Sequence, residues 1–280
     1  MALVDQLLNL IGLVLWLSWH SSGQPAQVRG AGTLLSNLKP VETRSARRWL
    51  YPLALLALVA GRPLLYAPLA HVLDWTPTLS PGPVTLAFRA DEPPRLLAFS
   101  VLSFAWSLLI FRSTIMLLAS LGRRDSDPAG LSGWVRELAG RTARWPVGAV
   151  LGLPILMLAV AWVVITLGLK QLGVLPPEPL VVGRLAAQSL VVGLAVWLPM
   201  RWLLAGLLVL RFVHDYVYLG EHTLWEFVRN TGARLLWPLE WLPARIGRFD
   251  FIPLIAAALV LVAAQGVELA LTAAYLWLGR

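Results

Sequence analysis

The sequence predicts an all-α membrane protein. It has about six transmembrane helices, arranged as two parallel-topology repeats that each carry an amphipathic interfacial helix. Three observations lead there. The 280 residues are 58% hydrophobic and 14% charged, with 14 Trp, more apolar side chain than a water-soluble fold of this length can hide. Six apolar runs reach or approach the ~18–20 residues needed to cross a hydrocarbon layer as helix, and none alternates like a strand. The basic residues alternate between the connections joining those runs.

The first run, 3–20, could be mistaken for a signal peptide. It lacks a basic leading region, carries Asp5, and offers no small-x-small cleavage site, so it reads as a retained span that begins at the interface. The second run, 49–71, is followed by a Pro-rich connection, 72–95. There "PVTLAF" reads as a short extended piece covering the outer face. The third run is 96–121 and the fourth 146–169. Between them "GLSGWVRELAGRTARW" sets Leu131, Trp134, Val135 and Leu138 on one helical face. The fifth run, 185–213, is overlong, and Pro199 inside it predicts a kink or a broken helix. "HTLWEFVRNTGARLLW" then repeats the amphipathic pattern with Leu224, Trp225, Phe227, Val228 and Leu235. Both amphipathic segments either lie in the interface or pack back on the bundle. The last run, 251–278, opens with Asp250 placed as an N-cap and Pro253 in the first turn, where a missing N–H costs nothing.

Three connections, 20–48, 122–145 and 214–250, hold fourteen Lys and Arg: Arg29, Lys39, Arg44, Arg47, Arg48, Arg123, Arg124, Arg136, Arg141, Arg144, Arg229, Arg234, Arg245 and Arg248. The other two connections and the carboxyl tail hold five: Arg89, Arg95, Lys170, Arg184 and Arg280. That bias places both termini outward. It also accounts for the net charge of +8 through the cytoplasmic side and anionic headgroups, so no nucleic-acid partner is predicted.

Residues 100–169 align with 189–276. Ser100 falls on Ser189 and Arg112 on Arg201; "WVRELAGR" (134–141) falls on "FVRNTGAR" (227–234), and a Trp-Pro step follows in each. The domain organisation read from this is an amino-terminal hairpin with its loop (1–95), a first, degenerate repeat (96–178) and a second repeat (179–280). The second repeat resembles the YggT (YlmG) family. That family's motif is a proline-bracketed basic stretch, then Gly, then a hydrophobic–Asp–hydrophobic–Ser–Pro entry to a helix. The matching residues are Pro238, Pro243, Gly247, Asp250 and Pro253. Ile252 replaces the usual Ser, and Glu240 with Trp241 stands where paired basic residues are common. The resemblance covers 185–280 well and 96–169 weakly. It implies a small multi-pass protein of the bacterial inner membrane, without enzymatic chemistry, linked to cell division or envelope organisation.

The chemistry legible in the residues is sparse. With no cysteine there are no disulfides, thiolate metal sites or iron–sulfur ligands. No Gly-rich phosphate loop, nucleophile elbow or catalytic carboxylate pair is present, so neither enzyme activity nor a cofactor is predicted. Arg62, Arg112, Arg201, Arg211 and Glu268 lie in or near apolar runs, where charge is costly and faces protein or water. Arg112, Arg201 and Glu268 form the expected intramembrane network. One reading makes it a brace in which Glu268 pairs with Arg201 or Arg112; the other lines a proton or anion path. His214, Asp215, Glu221 and His222 fall near one helix face within rough ligand reach but contain no His-x-x-x-His or Glu-x-x-His element, so they read as interfacial polar residues and no metal site is expected. The function expected is a non-enzymatic assembly or scaffold factor engaging lipid, a membrane-protein partner or a further copy of itself. The alternative is a small-solute or ion transporter.

Overall fold

The computed structural model describes residues 2–21, 48–73, 75–89, 92–124, 131–171, 181–217, 220, 222–239, 241, 245–246 and 249–279. Most of the expected 20–48 connection, Pro243 and Gly247 lie outside these described residues. Among the described residues nine helices span Ala2–Ser21 (α1), Leu50–Leu73 (α2), Pro93–Leu121 (α3), Leu131–Ala139 (α4), Val147–Gln171 (α5), Val182–Leu194 (α6), Met200–Tyr216 (α7), Thr223–Leu236 (α8) and Ile252–Gly279 (α9). Two minimal antiparallel hairpins join Thr78–Leu79 (β1) to Leu86–Ala87 (β2) and Arg245–Ile246 (β3) to Phe249–Asp250 (β4). Among the described residues six helical stretches are long and apolar enough to cross a membrane, at the places the apolar runs predict.

The chain divides into two compact units, 1–79 with 86–108 and 80–85 with 109–280. The expected boundary at 95/96 falls inside the first unit, because α3 contributes to both.

In the first unit α1 packs along α2. Pro63 lies inside α2 and leaves the Val59 carbonyl without its helical N–H donor. Ser100 of α3 supplies the replacement, its Oγ donating to Val59 O at 2.7 Å. In an apolar layer no water can take that role, so a hydroxyl from a neighbouring helix is the physical solution. Tyr66, Trp75, Phe88 and Phe99 form a linked aromatic group, with ring centroids 5.3–6.1 Å apart.

In the second unit the fifth span is broken. A 3-10 turn, Ala195–Trp197, separates α6 from α7, and Pro199 stands at the N-cap of α7. Pro199 has no N–H to offer the Ala195 carbonyl, which instead takes Leu198 N in a tighter bond of 3.0 Å. Gly82 sits against this break at φ 72°, and a Cβ there would lie 2.2 Å from Ala195 Cβ. Only glycine meets both conditions. α5 and α6 approach so closely at Gly193 that an added Cβ would stand 2.6 Å from the Ile155 carbonyl oxygen.

The two segments expected to be amphipathic form helices α4 and α8, which touch each other. Their apolar faces divide. Val135 and Leu138 of α4, and Phe227 and Val228 of α8, turn inward. Phe227 and Val228 join a core with Leu207, packed by Leu118, Leu131, Leu203 and Trp225. Trp134 and Leu224 stay exposed. A second core joins Ala205 and Leu208 of α7, Leu236 of α8, and Ile252, Ala256 and Ala257 of α9.

Candidate functional site

Of the three charges that sequence reading groups together, the structure pairs Glu268 with Arg201 and sets Arg112 on another partner. Arg201 on α7 pairs with Glu268 on α9 at 2.5 Å, and its guanidinium lies 5.5 Å from the Trp202 ring centroid. Arg112 on α3 instead donates to the Leu138 carbonyl of α4 at 3.0 Å. The aligned arginines therefore hold unlike partners, and Glu268 selects Arg201. Arg211 on α7 donates to the Arg229 carbonyl of α8 at 2.5 Å and faces Asp215 at 3.8 Å. Gly232 makes room for it, since a Cβ there would meet Arg211 Cδ at 2.6 Å. Each arginine thus ties a long helix to a neighbour.

The Arg201–Glu268 pair is partly open, with side-chain exposures of 20% and 35%. Replacing Glu268 with alanine is expected to destabilise the protein by about 1–2 kcal/mol, the scale of polar contacts between membrane helices. Unfolding of the solubilised protein in a denaturing detergent titration checks this. An unchanged midpoint would mean the pair contributes nothing to the packing of α7 on α9.

A denser polar cluster lies in the first unit, and it was only partly visible beforehand. Asp5 of α1 accepts hydrogen bonds from Tyr66 Oη at 2.7 Å, Ser103 Oγ at 2.7 Å and Asn9 Nδ2 at 3.2 Å. Arg62 is fully buried; its Nη1 donates to Asn9 Oδ1 at 2.7 Å and lies 3.7 Å from Asp5 Oδ1. Arg62 Nε and Nη2 have no hydrogen-bond partner among the described residues. The signal available in sequence was a pair of polar doublets at i, i+4, Asp5/Asn9 and Arg62/Tyr66, each of which sets two polar groups on one helix face.

The motif residues serve the entry to α9. The Asp250 carboxylate accepts Ile252 N at 3.0 Å, while the Phe251 carbonyl accepts Ile255 N. Phe251 thus holds the N-cap position, one residue later than expected, and Asp250 closes the turn from just outside it. Asp250 N donates to Tyr216 Oη, within a ring group of Phe212, Tyr216, Phe249 and Phe251. Pro253 is buried in the first turn of α9. Pro238 is exposed in a 3-10 turn, and its carbonyl accepts Trp241 Nε1 at 2.9 Å.

The histidines have local partners. His214 stacks on Trp225, and His222 Nδ1 accepts Leu224 N as the N-cap of α8. Among the described residues no group of three or more His, Cys, Asp and Glu could hold a metal ion; Glu221 lies outside them. At the α4 and α8 ends, four Trp are open: Trp134 (48%), Trp145 (37%), Trp237 (75%) and Trp241 (77%). Arg141, Arg144 and Arg229 are exposed on the same segments.

Comparison of the chain with protein-family models, with curated proteins and with solved structures finds no match in any of the three.

Proposed function

We propose that this chain is a non-enzymatic integral membrane protein that organises an assembly at one membrane face. The observation that carries the reading is the set of exposed Trp134, Trp145, Trp237 and Trp241 interleaved with Arg141, Arg144 and Arg229. Open indole rings beside guanidinium groups suit the headgroup layer, where an apolar body and a polar edge are both satisfied. They equally suit a membrane-embedded partner that arrives through that layer. Arg112, Arg201 and Arg211 support the same reading, because each is bonded to a neighbouring helix of the chain, as in a brace.

The proposal extends to topology and descent. Both termini face outward, α4 and α8 lie at the cytoplasmic face of a bacterial inner membrane, and residues 96–178 (α3–α4–α5) and 179–280 (α6–α7–α8–α9) are copies of one parallel unit. The resemblance to the YggT family rests on the sequence positions Pro238, Pro243, Gly247, Asp250 and Pro253. A photo-crosslinking residue at Trp237 or Trp241, activated in native membranes, is expected to capture one stoichiometric protein partner or phospholipid. Transport is the competing outcome: solute flux into vesicles holding the purified protein, lost in Arg201→Ala, would overturn the scaffold reading.

A further inference from the structure

The outer surface of α9 carries a feature that lipid alone does not satisfy. Gln265 stands at the midpoint of this 28-residue helix, is exposed, and makes no hydrogen bond among the described residues. A primary amide facing hydrocarbon loses its water partners and gains none. Beside it runs a continuous exposed seam of Leu259, Val262, Gly266, Leu269, Ala273 and Leu276, spaced alternately by four and three residues or nearly so. That 3.5-residue period is the spacing of two helices wound about each other, with Leu259, Gly266 and Ala273 in one register and Val262, Leu269 and Leu276 in the other. Gly266 has nothing within 4 Å of where a Cβ would stand, so the backbone is open to close approach at the centre. Ala257 and Leu271, on the opposite face, are buried in the bundle.

We propose that α9 pairs with α9 of a second copy of this chain, in parallel, about a two-fold axis along the membrane normal. A second copy is favoured over another protein by electrostatic self-complementarity. An amide carries a positive donor end and a negative acceptor end, so the same group on two symmetric helices supplies both halves of each contact. In this register Gln265 flanks the seam beside Val262 and Leu269, and reaches the mate where Gly266 and Ala270 leave the backbone uncovered. The pairing is independent of the Trp- and Arg-rich segments invoked for assembly, so either proposal can fail alone.

The absence of native cysteine makes the test direct. Single substitutions Val262→Cys, Gly266→Cys, Leu269→Cys and Ala273→Cys in the full chain, oxidised in native membranes, are expected to give disulfide-linked dimers. Ala257→Cys and Leu271→Cys are expected to give none. A single cysteine can link only to another chain, so packing against the protein's own helices leaves the monomer band alone and overturns the proposal. Crosslinking of equal yield at all six positions also overturns it, because that is random collision. Energy transfer between labelled copies in lipid vesicles supplies the second reading. Gln265→Leu is expected to weaken association by about 3- to 30-fold, the effect of one or two interhelical hydrogen bonds in membranes. An association unchanged in that variant removes the role given to Gln265. Capture of a different protein at these positions would replace the second copy as the occupant.

Discussion

Asp5→Ala is expected to unfold the first unit, because it leaves a cation with nowhere to put its charge. Arg62 is fully buried, and the Asp5 carboxylate 3.7 Å away is the one anion among the described residues paired with it. Removing one partner of a buried ion pair costs about 3–5 kcal/mol, since the survivor keeps its desolvation penalty. Tyr66, Ser103 and Asn9 lose their acceptor in the same step. The paired neutral variant, Asp5→Leu with Arg62→Met, is expected to recover most of the loss, as apolar replacements of buried ion pairs often do. Unfolding monitored by tryptophan fluorescence in mixed micelles distinguishes the cases. If Asp5→Ala and the parent unfold together, Arg62 is neutralised by something other than Asp5.

Gly193→Ala should destabilise the second unit, by geometry alone. The new methyl would stand 2.6 Å from the Ile155 carbonyl oxygen and 3.2 Å from Ala159 Cβ. A backbone oxygen held in a helix cannot rotate away, so α5 and α6 must separate, at about 1–3 kcal/mol or more. Gly152→Ala on α5 is the control, because nothing lies within 4 Å of that site. There the substitution should be neutral or stabilising by up to about 1 kcal/mol through helix propensity. Equal stability of the two variants would mean that the α5–α6 contact is looser than it stands.

These two sites mark where sequence reading reaches and where it stops. The membrane-length helices were legible because length and apolarity are one-dimensional properties of a run. Each helix begins and ends within a few residues of its apolar stretch, for instance α9 at Ile252–Gly279 against an expected 251–278. The break in the fifth span was announced by Pro199, whose missing N–H is a local fact. Pairings were not legible, because they depend on how each helix is rotated about its axis. Nothing in the chain says whether Glu268 faces Arg201 or Arg112, and alignment made the two arginines equivalent when their partners are not. The partners of Asp5 are equally hidden, because an acid in the first turn of a helix reads as interfacial. The Gly193 contact was hidden for the same reason: its meaning lies in what stands opposite.

The broken fifth span has a mechanical consequence. From Val182 to Tyr216 it runs 35 residues. At 1.5 Å per residue that is about 52 Å, against a hydrocarbon thickness of ~30 Å. Were the two helices collinear, even a tilt of ~40° would leave roughly 10 Å outside the apolar layer. The polar end, with Arg211, His214 and Asp215, is the end that emerges. Arg211 also grips the Arg229 carbonyl, so α8 travels with that end. A thicker bilayer would draw both charges toward hydrocarbon and α8 with them; a thinner one would lift α8 clear. Acyl-chain length is thereby expected to shift α8 relative to the apolar layer.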